Sequence, residues 1–475
     1  MIKLDESFLW GGALAANQAE GGWDSNTRGA CVTDYMTCCK KGEQRKIELH
    51  DDSLYFPNRI AVDFYGHYKE DIKMFKELGL KALRISMQWP RVFPNGDDEE
   101  PNEEGLIYYD SLLNELEKAH IEPIVTLSHY DCPYALIQKN NGWADRGMID
   151  KYVRFCQILF KRYKNRVKYW ITFNEINTLT FENEHSLLSG GGVICNKDAN
   201  VKTLSYQVLH HQFVASALAV KLGREINPNF KFGCMIAQLT AYPNTPDPAD
   251  MILTQDFDLK SNHFCPDVQV FGEYPFYMLS YFEKNNIQIE MQKNDLKILK
   301  EGTVDFYSLS YYNSICLGLA KGEKSSGNLV FGSKNPYLKT SEWGWQIDPM
   351  GFRYSLKNIY NKYRIPLMVV ENGLGANDEI EDNQINDIYR IEYLKAHIKE
   401  MKKAIDEGVN VIGYMVWSPL DIISNSTGEM NKRYGLIYVD RNNKGMGTLN
   451  RTKKKSFYWY KKVISSNGED LKEDF

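Results

Sequence analysis

Eight short apolar runs, distributed along the whole chain, constrain the fold more than any other feature of this sequence. Each run is rich in Val, Ile, Phe and Tyr, which is typical of buried strands. Most of the segments between them show helical periodicity. Strands that alternate with helices predict parallel β-α-β units, and eight such units close into a (β/α)8 barrel. The runs occupy residues 8–13, 82–89, 123–129, 169–175, 230–238, 304–312, 366–372 and 411–418.

Three of the intervening segments show the helical pattern most clearly. Residues 64–78 and 148–164 carry apolar stripes, and Gly79 is a plausible C-cap for the first of them. The third segment has an apolar stripe at steps of three and four, formed by Ile391, Leu394, Ile398, Met401 and Ile405. We expect charged residues on its other faces, namely Arg390, Lys395, Lys399 and Glu400.

The length of the chain predicts large insertions into this barrel. A (β/α)8 barrel needs about 250 residues, whereas this chain has 475. No repeat, linker or low-complexity tract divides it. We therefore predict an α/β fold with a single domain over residues 1–475, a TIM barrel with elaborated loops at the C-terminal face of the strands; an open doubly wound sheet is the alternative. The predicted loops are the polar segments 31–58, 182–199, 242–266 and 322–348.

Charge and composition exclude several other classes of protein. The 57 basic and 62 acidic residues give a net charge of −5, which indicates neither nucleic-acid nor membrane binding. No stretch of 18 apolar residues predicts a transmembrane helix, and the acidic, glycine-broken start does not resemble a signal peptide, so we expect a cytoplasmic protein. Nine scattered cysteines without zinc-binding spacing predict reduced thiols and neither a metal nor another cofactor. A homo-oligomer is left open.

Two of the predicted strands end in a glutamate. The fourth run ends in Asn174-Glu175, and the seventh ends in Glu371-Asn372-Gly373. A single glutamate after a strand is usually solvated, but the C-terminal ends of barrel strands meet at one face. Two carboxylates there suit glycoside hydrolysis, because one donates a proton while the other attacks the sugar or activates water.

Two further residues are predicted to divide the roles of these glutamates. Arg84, in the second run, is an inward cation, and Tyr312, at the end of the sixth run, is a hydroxyl donor. A cation or a donor favours the ionised form of a neighbouring carboxylate. We therefore expect Glu371 to be ionised, and Glu175 to be protonated before the first step and to act as base in the second.

The chain resembles glycoside hydrolase family 1 in several ordered motifs. Residues 8–21, FLWGGALAANQAEG, are similar to the N-terminal signature of that family. Asn174-Glu175 and Glu371-Asn372-Gly373 match its paired motifs, and the resemblance extends from about Ser7 to Trp459. It implies a retaining β-glycosidase on a (β/α)8 barrel, with Glu175 as acid/base and Glu371 as nucleophile.

Five positions match sugar-binding residues of the family. The resemblance implies that Gln18 binds the 3- and 4-hydroxyls, His129 the 3-hydroxyl and Asn174 the 2-hydroxyl. It also implies that Trp417 forms the floor under the sugar and that Trp345 is a platform for the aglycone. Either aromatic side chain alone would be typical of core packing, so the matched motifs carry these assignments.

The segment after the eighth run departs from the family enzymes that act on unphosphorylated sugars. Those enzymes carry a Glu-Trp pair whose glutamate binds the 4- and 6-hydroxyls, whereas residues 421–434 here are DIISNSTGEMNKRY. A carboxylate would repel a 6-phosphate, while hydroxyls and an ammonium bind one. The segment resembles the phosphate-binding loop of the family's 6-phospho-β-glycosidases, which implies that Ser424, Lys432 and Tyr434 bind the phosphate and that Arg433 only flanks it.

The predicted activity is therefore that of a 6-phospho-β-glucosidase whose partner is a phosphorylated β-glucoside. Ser310 also indicates a phosphorylated substrate, because the family enzymes that act on unphosphorylated sugars tend to have asparagine at this position. Asn425 stands where phospho-β-galactosidases have tryptophan, which favours glucosides but leaves a 6-phospho-β-galactosidase or a dual-specificity enzyme open. A plain β-glucosidase with an unusual loop and an inactive phospho-sugar-binding protein are further alternatives. A nucleotide-binding loop at residues 190–192 is excluded, since no Gly-Lys-Ser/Thr follows.

Overall fold

A closed barrel of eight parallel strands forms the centre of the computed structural model, which describes residues 3–25, 27–39, 43, 45–49, 51, 53–320, 332–382 and 384–473. The order around the barrel is β1-β8-β7-β6-β5-β4-β3-β2, and β2 pairs with β1 to close it. The predicted (β/α)8 barrel is confirmed, and the open doubly wound sheet is wrong. The strands are β1 (Leu9–Ala13), β2 (Ala82–Ser86), β3 (Glu122–Thr126), β4 (Tyr169–Ile171), β5 (Lys231–Ala237), β6 (Phe306–Tyr311), β7 (Leu367–Asn372) and β8 (Val411–Val416).

Several strands end earlier than the apolar runs predicted. The fourth run, predicted over 169–175, is a strand only as far as Ile171, and the second, predicted over 82–89, ends at Ser86. Phe173 remains buried although it follows the strand. Residues beyond the end of a strand can thus remain buried at the barrel mouth. An apolar pattern does not distinguish a buried strand residue from a buried residue that follows the strand.

Helices surround the barrel, and the three predicted from periodicity are confirmed. Phe64–Leu78 begins where the Asp63 side chain accepts a hydrogen bond from the Gly66 amide, and it ends at Gly79, whose φ of 87° is the left-handed C-cap conformation. The other two predicted helices are Met148–Tyr163 and Ile388–Asp406. Further helices include Glu103–Ala119, Tyr134–Asn140, Val201–Ile226, Phe276–Lys284, Asp295–Glu301, Pro349–Tyr363 and Lys455–Ser465, with short helical segments at Ala16–Ala19, Trp89–Val92, Gly142–Ala144 and Ile176–Phe181.

Two of the four charged residues that were expected on the other faces of the helix Ile388–Asp406 are buried. The apolar stripe is buried except at Ile405, which is partly buried, and the burial extends to Glu400 and Arg390. Its guanidinium pairs with Asp378 and Asp387 at 2.9 Å each. A charge that is paired on two sides can be buried at modest cost, and such pairing cannot be seen in the spacing along one helix.

The insertions carry more regular structure than the predicted loops. Residues 242–266 were expected to be a loop, yet Asp247 caps a helix there by accepting a hydrogen bond from the Ala249 amide at 2.9 Å. Polar helices that lie on a surface lack the apolar stripe on which the prediction relied. Residues 322–331 of the fourth predicted loop lie outside the described residues. Elements inside the predicted loops are Val32–Tyr35, Pro57–Ile60, Glu184–Gly191, Pro248–Asp258, the π-helical turn Leu259–His263 and the start of Phe264–Phe271.

Three short two-stranded ladders lie outside the barrel. One is parallel and two are antiparallel; they pair Thr240–Pro243 with Ser314–Leu317, Ile380–Glu381 with Gln384–Ile385, and Ile437–Val439 with Arg451–Lys453. Among the described helices, none has the length and apolar character that crossing a bilayer requires. The single-domain organisation stays a prediction.

Candidate active site

A cavity at the C-terminal mouth of the barrel collects most of the predicted site residues. Arg84, Ser424 and Lys432 do not line it but contact residues that do, as described below. Because strand C-terminal ends form the active-site face of such barrels, this cavity is the candidate active site. Nine of the twelve predicted residues line it: Gln18, His129, Asn174, Glu175, Tyr312, Trp345, Glu371, Trp417 and Tyr434.

Glu371, near the end of β7, is held by a cation and a phenol. Arg84 Nη1 donates to Glu371 Oε1 at 2.5 Å, and the Tyr312 hydroxyl donates to Oε2 at 2.7 Å. The same guanidinium donates to Asn174 Oδ1 at 2.6 Å and to Thr126 Oγ1 at 2.9 Å. One planar side chain on β2 therefore fixes groups contributed by three other segments of the barrel.

Burial outweighs these partners in setting the ionisation of Glu371. Its carboxylate is 3% exposed, and this burial raises its pKa to about 7, against the lowering effect of Arg84 and Tyr312 and with a further rise from the charge of Glu175. The expectation that Arg84 and Tyr312 keep Glu371 ionised thus left out the effect of desolvation. Burial and the charges of both glutamates raise the pKa of Tyr312 well above its ordinary value, so this phenol remains a donor.

Glu175, beyond β4, is held by two neutral hydroxyls. The Tyr130 hydroxyl donates to Glu175 Oε2 at 2.7 Å, and Ser310 Oγ donates to Oε1 at 2.6 Å. Burial, with the charge of Glu175, raises the pKa of Tyr130 well above its ordinary value. The two carboxylates therefore differ in kind of partner, with a guanidinium at Glu371 and hydroxyls alone at Glu175.

The backbone at the cavity is held in uncommon conformations. Glu175 and Tyr130 have φ angles of 41° and 59°, in the left-handed region that bulky residues seldom adopt. A Cβ atom at Gly373 would lie 1.8 Å from the Trp417 carbonyl oxygen, so the Glu-Asn-Gly motif needs glycine for close packing of the segments after β7 and β8. Strain of this kind is typical of functional sites.

The predicted sugar-binding residues form one wall of the cavity. Gln18 Nε2 donates to the Ile423 carbonyl at 2.7 Å, which fixes the amide. The rings of His129 and Trp417 are stacked with centroids 6.2 Å apart. Burial and the charge of Arg84 lower the pKa of His129 well below its ordinary value, so the imidazole is neutral. His129 Nδ1 is buried and has no hydrogen-bond partner among the described residues, which is uncommon for a buried polar atom.

The predicted phosphate residues converge at one end of this cavity. Tyr434 lines it, and the fully buried Ser424 lies behind, 3.3 Å from the lining hydroxyl of Ser426. Lys432 is also fully buried; its Nζ lies 4.0 Å from the centroid of Trp345 and 5.7 Å from that of Tyr434. One face of the indole is thus covered by an ammonium, and this relation to Trp345 was not expected from the sequence.

Arg433 contacts other protein groups and does not line the cavity, in keeping with its predicted flanking position. Its guanidinium pairs with Asp421 at 2.9 Å and donates to the carbonyls of Val439 and Arg441. Its backbone exchanges two hydrogen bonds with Ala376, beyond β7. These bonds join the segment that carries Lys432 and Tyr434 to the segment that carries Glu371.

Sequence reasoning missed several residues of the cavity. Tyr130 adjoins His129 within a matched motif, so its position was a usable signal. Ser310 had been singled out only as a sign of the substrate class, and its bond to Glu175 required knowledge of which face of β6 points inward. No signal marked the helix Glu184–Gly191, which lay within a predicted loop. Within the described part of the chain, no three His, Cys, Asp or Glu side chains are grouped to hold a metal ion. The remaining missed lining residues are Thr178, Phe181, His185, Ser186, Ser189 and Ser426.

A closed eight-stranded barrel with two glutamates at one cavity defines the class of barrel glycoside hydrolases. The family model described as glycosyl hydrolase family 1 matches residues 1–469. The chain belongs to glycosyl hydrolase family 1.

Individual members of this family are similar over nearly the whole chain. An aryl-phospho-β-D-glucosidase, BglH, of Bacillus subtilis (strain 168) is 50% identical over 472 residues, covering 99% of both chains. A 6-phospho-β-glucosidase of Clostridium longisporum is 48% identical over 477 residues, again covering 99% of each. Among solved structures, the family 1 β-glucosidase of Thermotoga maritima is 29% identical, with a TM-score of 0.83 and coverage of 98% of this chain and 99% of that one.

Proposed function

We propose that this protein hydrolyses 6-phospho-β-D-glucosides, such as cellobiose 6-phosphate or phosphorylated aryl β-glucosides, to glucose 6-phosphate and the aglycone. The observation that carries the proposal is the buried ammonium of Lys432 beside Tyr434 at the cavity, in a segment that lacks the Glu-Trp pair. The names of the two bacterial relatives at 50% and 48% identity support it. Phosphorylated sugars arise inside cells, so we propose a cytoplasmic location.

The proposed reaction proceeds with retention through two displacements. Glu371 attacks the anomeric carbon while Glu175 protonates the glycosidic oxygen, which releases the aglycone and leaves a glycosyl ester on Glu371. Glu175 then takes a proton from water, which attacks the same carbon, breaks the ester and restores Glu371. This mechanism requires the two carboxyl groups to be about 5–5.5 Å apart.

The partners of each glutamate fit the role proposed for it. Arg84 and Tyr312 stabilise negative charge on Glu371, which is both the attacking group and the leaving group. Tyr130 and Ser310 bind Glu175 through hydroxyls, which can donate to a carboxylate and can also accept from a carboxylic acid. A group that alternates between acid and base needs partners that can both donate and accept a hydrogen bond.

Three aryl substrates test the proposal and separate its alternatives. We expect 4-nitrophenyl β-glucoside 6-phosphate to have a kcat/KM far above those of the unphosphorylated glucoside and of the galactoside 6-phosphate. Equal rates with both phosphorylated sugars would indicate dual specificity through Asn425, and a preference for the galactoside would indicate a 6-phospho-β-galactosidase. Preference for the unphosphorylated glucoside would contradict the proposal, as would tight binding of glucose 6-phosphate without hydrolysis of any substrate.

A variant of Lys432 tests the phosphate contact itself. We expect Lys432→Ala to raise KM for the phosphorylated substrate by about 10²-fold, because a buried charge partner is lost, and to change KM for the unphosphorylated glucoside little. Lys402→Ala is the matched control, since Lys402 is also buried but donates to the Gly468 carbonyl at 2.6 Å, far along the chain from the cavity residues. Equal effects of Lys432→Ala on both substrates would contradict a phosphate contact.

A further inference from the structure

A segment near the N-terminus binds the turn that contains Ser424 and Asn425 through the backbone carbonyls of that turn. The Cys39 amide donates to the Thr427 carbonyl at 2.8 Å, and Cys38 Sγ donates to the Gly428 carbonyl at 3.1 Å. Arg45 Nη1 donates to the Asn425 carbonyl at 3.2 Å. Three carbonyls of the turn are therefore bound by residues of one segment.

Arg45 is a buried cation whose acceptors are all neutral. Arg45 is only 3% exposed to solvent. Besides Asn425, it donates to the carbonyls of Thr37 and Met36 at 2.9 Å each and to Asn58 Oδ1 at 2.6 Å. It forms no ion pair with any carboxylate of the residues that the structure describes. Desolvation of a charge without a countercharge costs several kcal/mol.

This environment differs from that of most buried arginines in the described chain. Five of the seven pair with a carboxylate, and only Arg45 and Arg441 do not. Arg441 is 1% exposed, its Nη2 donates to the Tyr55 hydroxyl at 2.8 Å, and its Nε and Nη1 have no hydrogen-bond partner among the described residues. The five with carboxylate partners are Arg28, Arg84, Arg91, Arg390 and Arg433.

The two arginines without carboxylate partners share two electrostatic neighbours. Both influence the Cys38 thiol and the Tyr55 phenol electrostatically, so both lie near the segment that holds the turn. Burial lowers the pKa of Arg45 to about 10 and also lowers that of Arg441, and both remain cations at neutral pH. Glu429 is the acidic group of the turn; it influences the same thiol but forms no described ion pair with either arginine.

We propose that Arg45 is a positioning residue for the 6-phosphate: it fixes the turn through the Asn425 carbonyl and, together with Arg441, contributes positive charge near that turn. This inference rests on the proposed function, because the phosphate dianion is an anion for two arginines that form no described ion pair, although Asp63 also acts on Arg441 electrostatically. Buried cations act through a medium of low dielectric constant, where their attraction for an anion is screened little. Neither arginine needs to touch the ligand to contribute.

The inference predicts a substrate-dependent effect of Arg45→Gln. We expect KM for 4-nitrophenyl β-glucoside 6-phosphate to rise about tenfold, and the inhibition constant of inorganic phosphate to rise similarly, because one charge near the anion is removed. KM for the unphosphorylated glucoside should change less than about twofold. Arg45→Lys keeps the charge and should retain most of the preference for the phosphorylated substrate. Arg441→Gln should act in the same direction as Arg45→Gln but more weakly, since Arg441 forms no described bond to the turn.

Arg59→Met is the matched control. Arg59 belongs to the same region, where it packs over the rings of Trp23 and Phe56 and donates to the Asp34 carbonyl at 3.1 Å, without a described contact to the turn. If Arg45 had a purely structural role, Arg45→Gln would raise KM equally for both substrates, and that result would overturn the inference. An Arg45→Lys variant as impaired as Arg45→Gln would also overturn it. If Arg45→Gln does not fold, Arg441→Gln with unchanged phosphate inhibition would overturn the charge effect. A wild-type enzyme without preference for the phosphorylated substrate would instead contradict the proposed function.

Discussion

The two glutamates of the cavity are the same residue type in different surroundings. Glu371 lies within a strand, is almost fully buried and contacts a guanidinium and a phenol, whereas Glu175 follows a strand, has a left-handed backbone and contacts two hydroxyls. The partners, not the carboxyl groups, distinguish the attacking group from the proton carrier. Four sets of substitutions test this distinction, and they are ordered by expected effect.

Glu371→Gln should have the largest effect. An amide is not a nucleophile at the anomeric carbon, so we expect kcat for the phosphorylated aryl glucoside to fall by more than about 10⁴-fold. Steady-state assays with enzyme of unchanged circular dichroism would measure this. Near-native kcat would contradict the role of Glu371 as nucleophile.

Glu175→Ala should have the next largest effect, and it should depend on the leaving group. Loss of a general acid and base costs about 10²–10⁴-fold. A 2,4-dinitrophenyl leaving group needs no protonation, so its departure should be retained, and azide should then restore turnover by attacking the glycosyl-enzyme to give a β-glycosyl azide. Glu182→Ala is the control, since Glu182 accepts from Tyr206 and Tyr281 and does not line the cavity. An azide product of inverted configuration would contradict the assignment.

Arg84→Lys should alter the pH profile as well as the rate. Glu371 must be ionised to attack, and its pKa of about 7 predicts that kcat/KM of the wild-type enzyme rises with pH through about 7. A lysine cannot bind Glu371, Asn174 and Thr126 together, so the pKa of Glu371 should increase and the acid limb should move to higher pH, with kcat about 10–100-fold lower. An acid limb at unchanged pH would show that Arg84 does not stabilise the ionised carboxylate.

Tyr130→Phe and Ser310→Ala should have the smallest effects. Each removes one hydroxyl from Glu175, and a neutral hydrogen bond contributes about 0.5–1.5 kcal/mol, which corresponds to a decrease in kcat of about 2–13-fold. Tyr312→Phe is the informative comparison, because it removes the phenol from Glu371 instead. A pH profile that moves with Tyr130→Phe as it does with Tyr312→Phe would remove the distinction between the two carboxylates.

The barrel could be predicted from the sequence because its signals are local. Alternating apolar runs and helical stripes identify strands and helices one at a time, and eight strands permit few closed arrangements. The polar helix Pro248–Asp258 was missed because it lies on the surface and lacks an apolar stripe.

The site was predictable in part, and for a different reason. Glu175, Glu371 and the phosphate residues lie within ordered motifs, so they could be identified before their neighbours in space were known. The raised pKa of Glu371 depends on how deeply the folded chain buries it, and the bond from Arg45 to the turn joins residues 380 positions apart. Neither the raised pKa nor this long-range bond can be recognised from a short sequence motif.

The three bonds of Arg84 have an evolutionary consequence. Its guanidinium serves Glu371, Asn174 and Thr126 at once. A descendant that exchanged this arginine would lose the donor to three buried acceptor atoms in one mutational step. A change of the Asn425 side chain, in contrast, would leave the contact between its carbonyl and Arg45 in place.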